Sequence, residues 1–254
     1  MNKKMMWAAC LVALVMTTGC GKDTPPEPKP QPKPDTTNTV VPGGKGQYLL
    51  ETTVKNPDGM SGSSYLQLTN NLNGSIDNSK GIQIAFAGMI SVIDNYIFVL
   101  PTGMGKDAEF KVRRYTYDPK TQTMGNLKTI DVPAGATPYN VQKVSADKMY
   151  MPNYSLGNVW VMNPTTLQKT GEIDLKQYAY KDASPEPSLG ILRGDRYFLT
   201  LDQIGSNYMP YEDRRQVEVA VIDPKTDKVL KVITENSKKI AFPTRPLYKD
   251  MIFA

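Results

Sequence analysis

Beyond about residue 46 the apolar residues fall in short runs rich in Val, Ile, Tyr and Phe, broken by Gly, Pro, Asn and Asp, with no long segment of helical period. That punctuation predicts strands joined by tight turns. The expected strands are Gln47–Val54, Tyr65–Thr69, Gly81–Ala87, Ile90–Leu100, Phe110–Tyr117, Gly125–Val132, Lys148–Asn153, Val159–Met162, Lys169–Leu175, Tyr197–Leu201, Val217–Ile222 and Lys228–Ile233. The fold class is therefore all-β.

Two kinds of turn recur and alternate along these strands. In the first, an Asp opens an aromatic-aliphatic strand, at Asp94, Asp147, Asp195 and Asp250. In the second, an Asp or Asn before proline closes a strand: Asp118-Pro119-Lys120-Thr121, Asn163-Pro164-Thr165-Thr166 and Asp223-Pro224-Lys225-Thr226. Asx followed by Pro suits a type I turn between adjacent strands, so these motifs read as structural. The interleaved spacing of about 50 residues, roughly four short strands per copy, is that of a β-propeller. About four copies fit, which predicts an incomplete arc of a larger ring. The last Asp-strand begins at Asp250 and the sequence stops at Ala254, so a fragment of a longer product with unpaired edge strands is expected. The Asn70–Asn78 segment lacks the closing Glu of a helix-loop-helix calcium loop, and Asn73-Gly74 reads as a hairpin turn.

The amino-terminal pattern is different. Lys3-Lys4, an apolar run from Met5 to Met16, and Thr17-Thr18-Gly19 before Cys20 have the order of an export signal. The run is well short of the ~20 residues that span a bilayer. The Gly19-Cys20 junction resembles the lipobox of bacterial lipoproteins, with Thr17 where that pattern prefers Leu. The resemblance implies cleavage after residue 19, diacylation of Cys20 and anchoring in the outer membrane, facing the cell surface or the periplasm. From Cys20 to Lys45, prolines at 25, 26, 28, 30, 32 and 34 predict a polyproline tether of ~3.1 Å per residue. The propeller domain is then expected over residues 46–254.

Composition removes whole classes of chemistry. The chain has no histidine, so a Ser-His-Asp triad, a Cys-His pair and the common zinc sites are excluded. Once Lys3 and Lys4 leave with the signal, the 30 basic residues become 28 against 25 acidic. That balance is too mild to argue for nucleic acid. Cys10 leaves as well, so no disulfide can form within the mature chain and the fold rests on packing. Carboxylate, Tyr, Arg and Lys chemistry survive. No metal site, cofactor or catalytic residue is identified, and the chain is not expected to be an enzyme.

The stretches Gly46–Val54 and Ser63–Asn70, with the Asp118-Pro119 and Asp223-Pro224-Lys225-Thr226 turns, resemble a Bacteroidota family of propeller lipoproteins formerly of unknown function. Members are similar to the surface lipoprotein of the xenosiderophore-utilisation system. The resemblance implies capture of a ferric catecholate siderophore beside a TonB-dependent outer-membrane transporter. Such a ligand is an aromatic trianion, which calls for cations and ring surfaces, with Arg serving both. The Ile204–Arg215 segment interrupts a strand-dense region with Gly, Asn, Tyr and Arg, as binding loops do. Tyr208, Tyr211, Arg214 and Arg215 are therefore candidates, with Arg193 and Arg196. Further ring-and-cation groupings are Arg113-Arg114 with Tyr115, Tyr178, Tyr180 with Lys181, and Arg245. Trp160, inside a strand, reads as core. Two alternatives stay open: a propeller scaffold for protein partners, and a carbohydrate-active enzyme using carboxylates such as Glu186, Glu212 and Asp213.

Overall fold

The computed structural model describes residues 43–103, 109–205, 209, 211, 213 and 217–235, and the backbone of 35–37. The signal, Cys20, most of the tether, Tyr208, Arg214, Arg215, Arg245 and the Asp250 strand lie outside the described residues.

The described chain is all-β, in four antiparallel sheets. The first sheet holds β2 (Tyr48–Lys55), β3 (Gly62–Thr69) and β4 (Ile82–Ile84). The second is a meander of β5 (Met89–Ile93), β6 (Tyr96–Leu100), β7 (Lys111–Asp118) and β8 (Thr123–Asp131). Its outer edge is extended by β1 (Asp35–Thr37), which pairs with β8, so part of the stretch expected to be tether joins a sheet. The third runs through β9 (Gln142–Lys143), β10 (Met149–Asn153), β11 (Asn158–Met162) and β12 (Lys169–Asp174). The fourth runs through β13 (Pro187–Arg193), β14 (Arg196–Leu201), β15 (Val217–Asp223) and β16 (Lys228–Glu235). Strands β5 to β8 of the second sheet, and all strands of the third and fourth, follow chain order across the sheet.

The central strands read as continuous apolar runs because both sheet faces are covered. Alternate residues serve alternate neighbours. Met149 and Met151 of β10, with Trp160 and Met162 of β11, pack against Phe98, Leu100 and Val112 of the second sheet. The intervening Tyr150, Val159 and Val161 pack against Tyr197, Leu199 and Leu201 of the fourth. Tyr150 and Tyr197 meet edge to face, 5.0 Å between centroids. Ile97 and Val99 of β6 turn the other way and join Leu66, Leu68 and Ile84 of the first sheet. Stacking of one meander on the next, each wedge feeding two interfaces, is propeller architecture. Trp160 is 6% exposed, in keeping with a core position.

Both turn motifs lie at the same end of the sheets. The Asp94-Asn95 turn joins β5 to β6, and Gly194-Asp195 joins β13 to β14. The Asx-Pro turns join the last two strands of sheets two, three and four. In each, the Asx side chain accepts the backbone N–H two residues on, at 2.9 Å for Lys120, 2.9 Å for Thr165 and 3.0 Å for Lys225. Those bonds hold Asp118 and Asp223 below the usual carboxylate range. The turns also join neighbouring sheets. Arg114, on β7, donates to the Pro164 carbonyl at 2.9 Å and the Thr165 carbonyl at 2.5 Å, while its guanidinium stacks on Tyr96 at 4.2 Å. One sheet later, Lys148 donates to the Pro224 carbonyl at 2.9 Å and pairs with Asp227, which also accepts from the Tyr150 hydroxyl. The Asp94 carboxylate likewise pairs with Lys143 of the third sheet.

Candidate functional site

The opposite end of the sheets carries the longer connections: 101–110 and 132–141 around the second sheet, 154–157 and 175–186 around the third, and 202–216 from β14 to β15. This loop face is where polar burial concentrates. Ten of the fourteen polar or charged residues buried among the described residues lie at the loop-face end of sheets three and four. Buried polar groups cost free energy unless hydrogen-bonded, so their collection at one end marks a place kept polar for a reason beyond folding.

They form connected sets. Asn153 donates to Asn158, which donates to Glu172, at 2.8 and 3.0 Å. Ser188 bonds Thr200 at 2.6 Å and donates to Asp202 at 2.9 Å. Gln203 donates to Glu218 and to the Tyr178 carbonyl, each at 2.7 Å. Along the inner edges, Asn140 donates to the Gly190 carbonyl at 3.2 Å and the Val141 N–H donates to Ser91 Oγ at 3.2 Å, tying β5, β9 and β13 together.

A cavity of about 300 Å³ opens among these groups, lined by Tyr154, Ser155, Asp182, Ala183, Ser184, Glu186, Ile204 and Gly205. Its walls are two loops and a short turn. Ser184 fixes the first contact by donating to the Tyr154 carbonyl at 2.6 Å and accepting the Glu186 N–H at 3.0 Å. Gly157 makes the close approach possible: it sits at φ 62°, and a Cβ there would lie 2.9 Å from the Ala183 carbonyl oxygen. The other wall is tied by the Asp202 N–H to the Glu186 carbonyl at 3.1 Å and the Gln203 N–H to the Pro185 carbonyl at 3.3 Å. Glu186 and Gln203 both adopt left-handed backbone, φ 49° and 48°. Such conformations cost about 1–3 kcal/mol each and cluster at functional sites.

Glu186 is the chemically distinct group of the cavity. It is 6% exposed, and its Oε2 accepts the Ile204 N–H at 3.0 Å. Burial first, with the negative charges of Asp182 and Asp202 added, pushes its carboxyl up to about 8, against the hydrogen bonds from Ile204 and Ser184. At neutral pH it is mainly an uncharged acid. Asp182 lies beside it with its Oδ1 on the Ser184 N–H at 3.1 Å and its Oδ2 on the Tyr211 hydroxyl at 3.0 Å. Among the described residues no group of three or more acidic or cysteine side chains could hold a metal ion.

Above the cavity, Tyr180 and Tyr211 pack edge to face at 5.3 Å. Lys181 stands 5.1 and 5.5 Å from the two ring centroids. Asp213 holds the arrangement, accepting from Lys181 at 2.6 Å and from the Tyr180 hydroxyl at 3.0 Å. The pairing raises Lys181 and lowers Asp213. Desolvation and the bond to Asp182 push the Tyr211 phenol up to about 12.

Of the expected ligand residues, the structure places Tyr211 on this loop face, joined to Tyr180 and Lys181. Arg193 and Arg196 are elsewhere. They flank the β13–β14 turn, at the other end of the six-residue β14 from the loop that holds Tyr211, and Arg196 pairs with Asp195 at 2.7 Å. At ~3.3 Å per residue that is about 20 Å. The Arg113-Arg114-Tyr115 grouping is structural: Arg113 is bidentate with Glu109, Arg114 binds the neighbouring Asx-Pro turn, and Tyr115 is 1% exposed. Sequence reasoning named Glu186 only as an available carboxylate and missed Asp182, Tyr154 and Ser184 as its companions. The Ala183–Ser188 stretch, Pro185 and Pro187 included, reads as a plain connection.

No family model matches the chain, and no curated protein does. Among solved structures it is similar to hydrazine synthase of Kuenenia stuttgartiensis, at 15% identity and TM-score 0.41, over 78% of this chain and 51% of that one. It is similar to a protein of unknown function from Bacteroides caccae, at 12% and 0.41, over 76% and 71%. A third is virginiamycin B lyase from Staphylococcus aureus, at 12% and 0.37, over 74% and 73%. The chain spans about half the length of the hydrazine synthase and 37% of a dihydro-heme d1 dehydrogenase that it also matches. Likenesses at this level carry no information on ligand or activity. The propeller assignment rests on the sheet order, the strand register and the clusters between sheets.

Proposed function

We propose that this chain is a ligand-capturing propeller of the bacterial envelope, anchored through Cys20, whose ligand is taken at the loop face of the third and fourth sheets. The observation that carries the proposal is the concentration of buried polar groups there, around an open cavity. The family resemblance supplies the ligand, a ferric catecholate siderophore, and the partner, a TonB-dependent outer-membrane transporter. Tyr180, Tyr211 and Lys181 give the rim ring surfaces and a cation suited to a flat aromatic complex. Asp213 already neutralises Lys181. A trianion therefore needs Arg214 and Arg215 of the same loop, and the siderophore reading depends on them.

Calorimetric titration of the delipidated full-length protein with ferric enterobactin, ferric salmochelin and their iron-free forms tests the reading. Saturable binding of the ferric forms, weakened at least tenfold by Arg214→Ala with Arg215→Ala, is expected. Absence of binding to all of them ends the siderophore assignment. Glu186 and Asp182 on one cavity wall favour a second reading, a carbohydrate-active enzyme. Turnover of a glycan by the wild type and not by Glu186→Gln would establish that instead.

A further inference from the structure

Among the described residues the second sheet alone has five strands, and the fifth, β1, comes from the stretch that precedes the propeller. Its direction is informative. β8 runs from the Asx-Pro turn at Thr123 to the loop-face end at Asp131, and β1 lies antiparallel to it, with Asp35 opposite Thr129 and Thr37 opposite Leu127. The chain therefore reaches the sheet at its loop-face end and leaves towards the turn end. Gly46 marks that second end: its N–H donates to the carbonyl of Gln122, in the β7–β8 turn, at 3.0 Å. The ladder also assigns the backbone groups. Val132 donates its N–H to the Phe110 carbonyl at 2.9 Å, in the register that pairs Lys111 with Asp131, so Ile130 and Lys128 bond to β7. Thr129 and Leu127 turn their N–H and C=O groups outward, to Asp35 and Thr37. Thr36, between them, turns its own away from β8.

We propose that β1 is a clasp that sets how the protein stands on its membrane: by pairing with β8 it sends the tether out at the loop-face end, so that the loop face is turned towards the bilayer that holds Cys20. The orientation rests on the anchoring and the loop-face site proposed above, and adds the side from which a membrane partner meets the ligand. Pro34 directly precedes Asp35, and Lys33, Gln31, Lys29 and Glu27 each stand before a proline, a position biased to extended backbone. The tether is thus expected to prolong β1 past the loop face instead of folding back along the sheet. Clasped, the 14 residues Gly21–Pro34 reach at most about 43 Å at ~3.1 Å each. The turn end stands about 30 Å farther off, the length of the nine-residue β8 at ~3.3 Å per residue. That offset is comparable with the whole reach, so the point of exit decides which end lies near the bilayer. Unclasped, the free chain runs back to Pro42 at the turn end, 22 residues and about 68 Å, and the loop face becomes the far side.

The test uses the full acylated chain in phosphatidylcholine vesicles that carry a rhodamine-labelled lipid. Donor dyes go on single cysteines at two exposed positions of the second sheet, Ala134→Cys at the loop face and Lys120→Cys in the β7–β8 turn; Cys20 is blocked by its acyl chain. Energy transfer to the lipid is expected to be about twofold more efficient from position 134 than from 120. Hydrogen exchange on the same protein is expected to show the Leu127 and Thr129 amides protected. Asp35→Pro with Thr37→Pro removes both tether donors of the ladder, and is expected to expose those amides at least tenfold and to abolish the difference between the dyes. Thr36→Pro, whose lost N–H faces solvent, is expected to keep both. Equal transfer from the two dyes, unprotected amides in the unmodified sequence, or a dye difference that survives the double proline variant overturns the proposal. A mature chain without acyl groups, by mass spectrometry, overturns the orientation as well. Ferric enterobactin binding by the delipidated double variant, expected to match the wild type, reports on the ligand reading separately.

Discussion

Replacing Glu186 by Gln should make this protein more stable, by an amount that depends on pH in a defined way. In the folded chain the Glu186 carboxyl is held up to about 8 by burial, whereas its ordinary value is 4.5. An acid raised on folding contributes no cost below pH 4.5, where both states are protonated. Between 4.5 and 8 the unfolded chain ionises and the folded chain does not, and stability falls by about 1.4 kcal/mol per pH unit. Above 8 both states are ionised and the cost is constant. Gln resembles the neutral acid in shape, can still accept the Ile204 N–H through its carbonyl oxygen, and does not titrate. Its advantage over Glu should be near zero at pH 4, about 3 kcal/mol at pH 7 and about 5 kcal/mol at pH 9. Urea unfolding of both proteins across that range measures the difference. Glu51, pushed up to about 7 by partial burial, is present in both and cancels. A difference that does not grow between pH 5 and 8, or a Gln variant less stable at pH 7, would refute the reasoning.

Other expectations follow from the same contacts. Arg114→Met, which leaves the Pro164 carbonyl without its donor and the Thr165 carbonyl with Lys128 alone, should lower unfolding free energy by about 2–4 kcal/mol, read by urea denaturation. A double-mutant cycle of Lys148→Met with Asp227→Asn should give a coupling of about 1–3 kcal/mol, since the pair is half-buried and shared with Tyr150; additive effects would show that the pair is dispensable. Tyr197→Phe removes a fully buried hydroxyl that has no partner, and should raise unfolding free energy by about 1 kcal/mol rather than lower it.

The middle strands were legible because apolar side chains there meet a neighbouring sheet on both faces. The run Ile90–Leu100, read as one strand, is two, folded back at Asp94-Asn95 with Asp94 at φ 51°. Two inner strands, β9 and β13, were not legible. β9 is two residues long, and β13 begins at Pro187 and contains Ser188 and Gly190, so neither shows an apolar alternation. Both border the inner edge, where side chains meet polar loop ends instead of a second sheet. Gly190 is needed for another reason: a Cβ there would lie 1.9 Å from the Tyr197 hydroxyl. The site was legible only at its rim, where Tyr211 advertised itself in an aromatic, basic loop. Glu186 becomes unusual through burial against Asp182 and Asp202, and distance along the chain gives no hint of that. Arg193 and Arg196 failed to join the rim because a strand separates them from it, although few residues do in sequence.

The bonds from Arg114 to Pro164 and from Lys148 to Pro224 place a contact of each sheet inside the turn of the next. The natural unit of cooperativity is then the seam between two sheets and not the sheet itself. Loss of one seam frees two half-covered faces at once. Hydrogen exchange should therefore melt in steps that pair the strands on either side of a seam, with β6, β7, β10 and β11, which each belong to two seams, last to open.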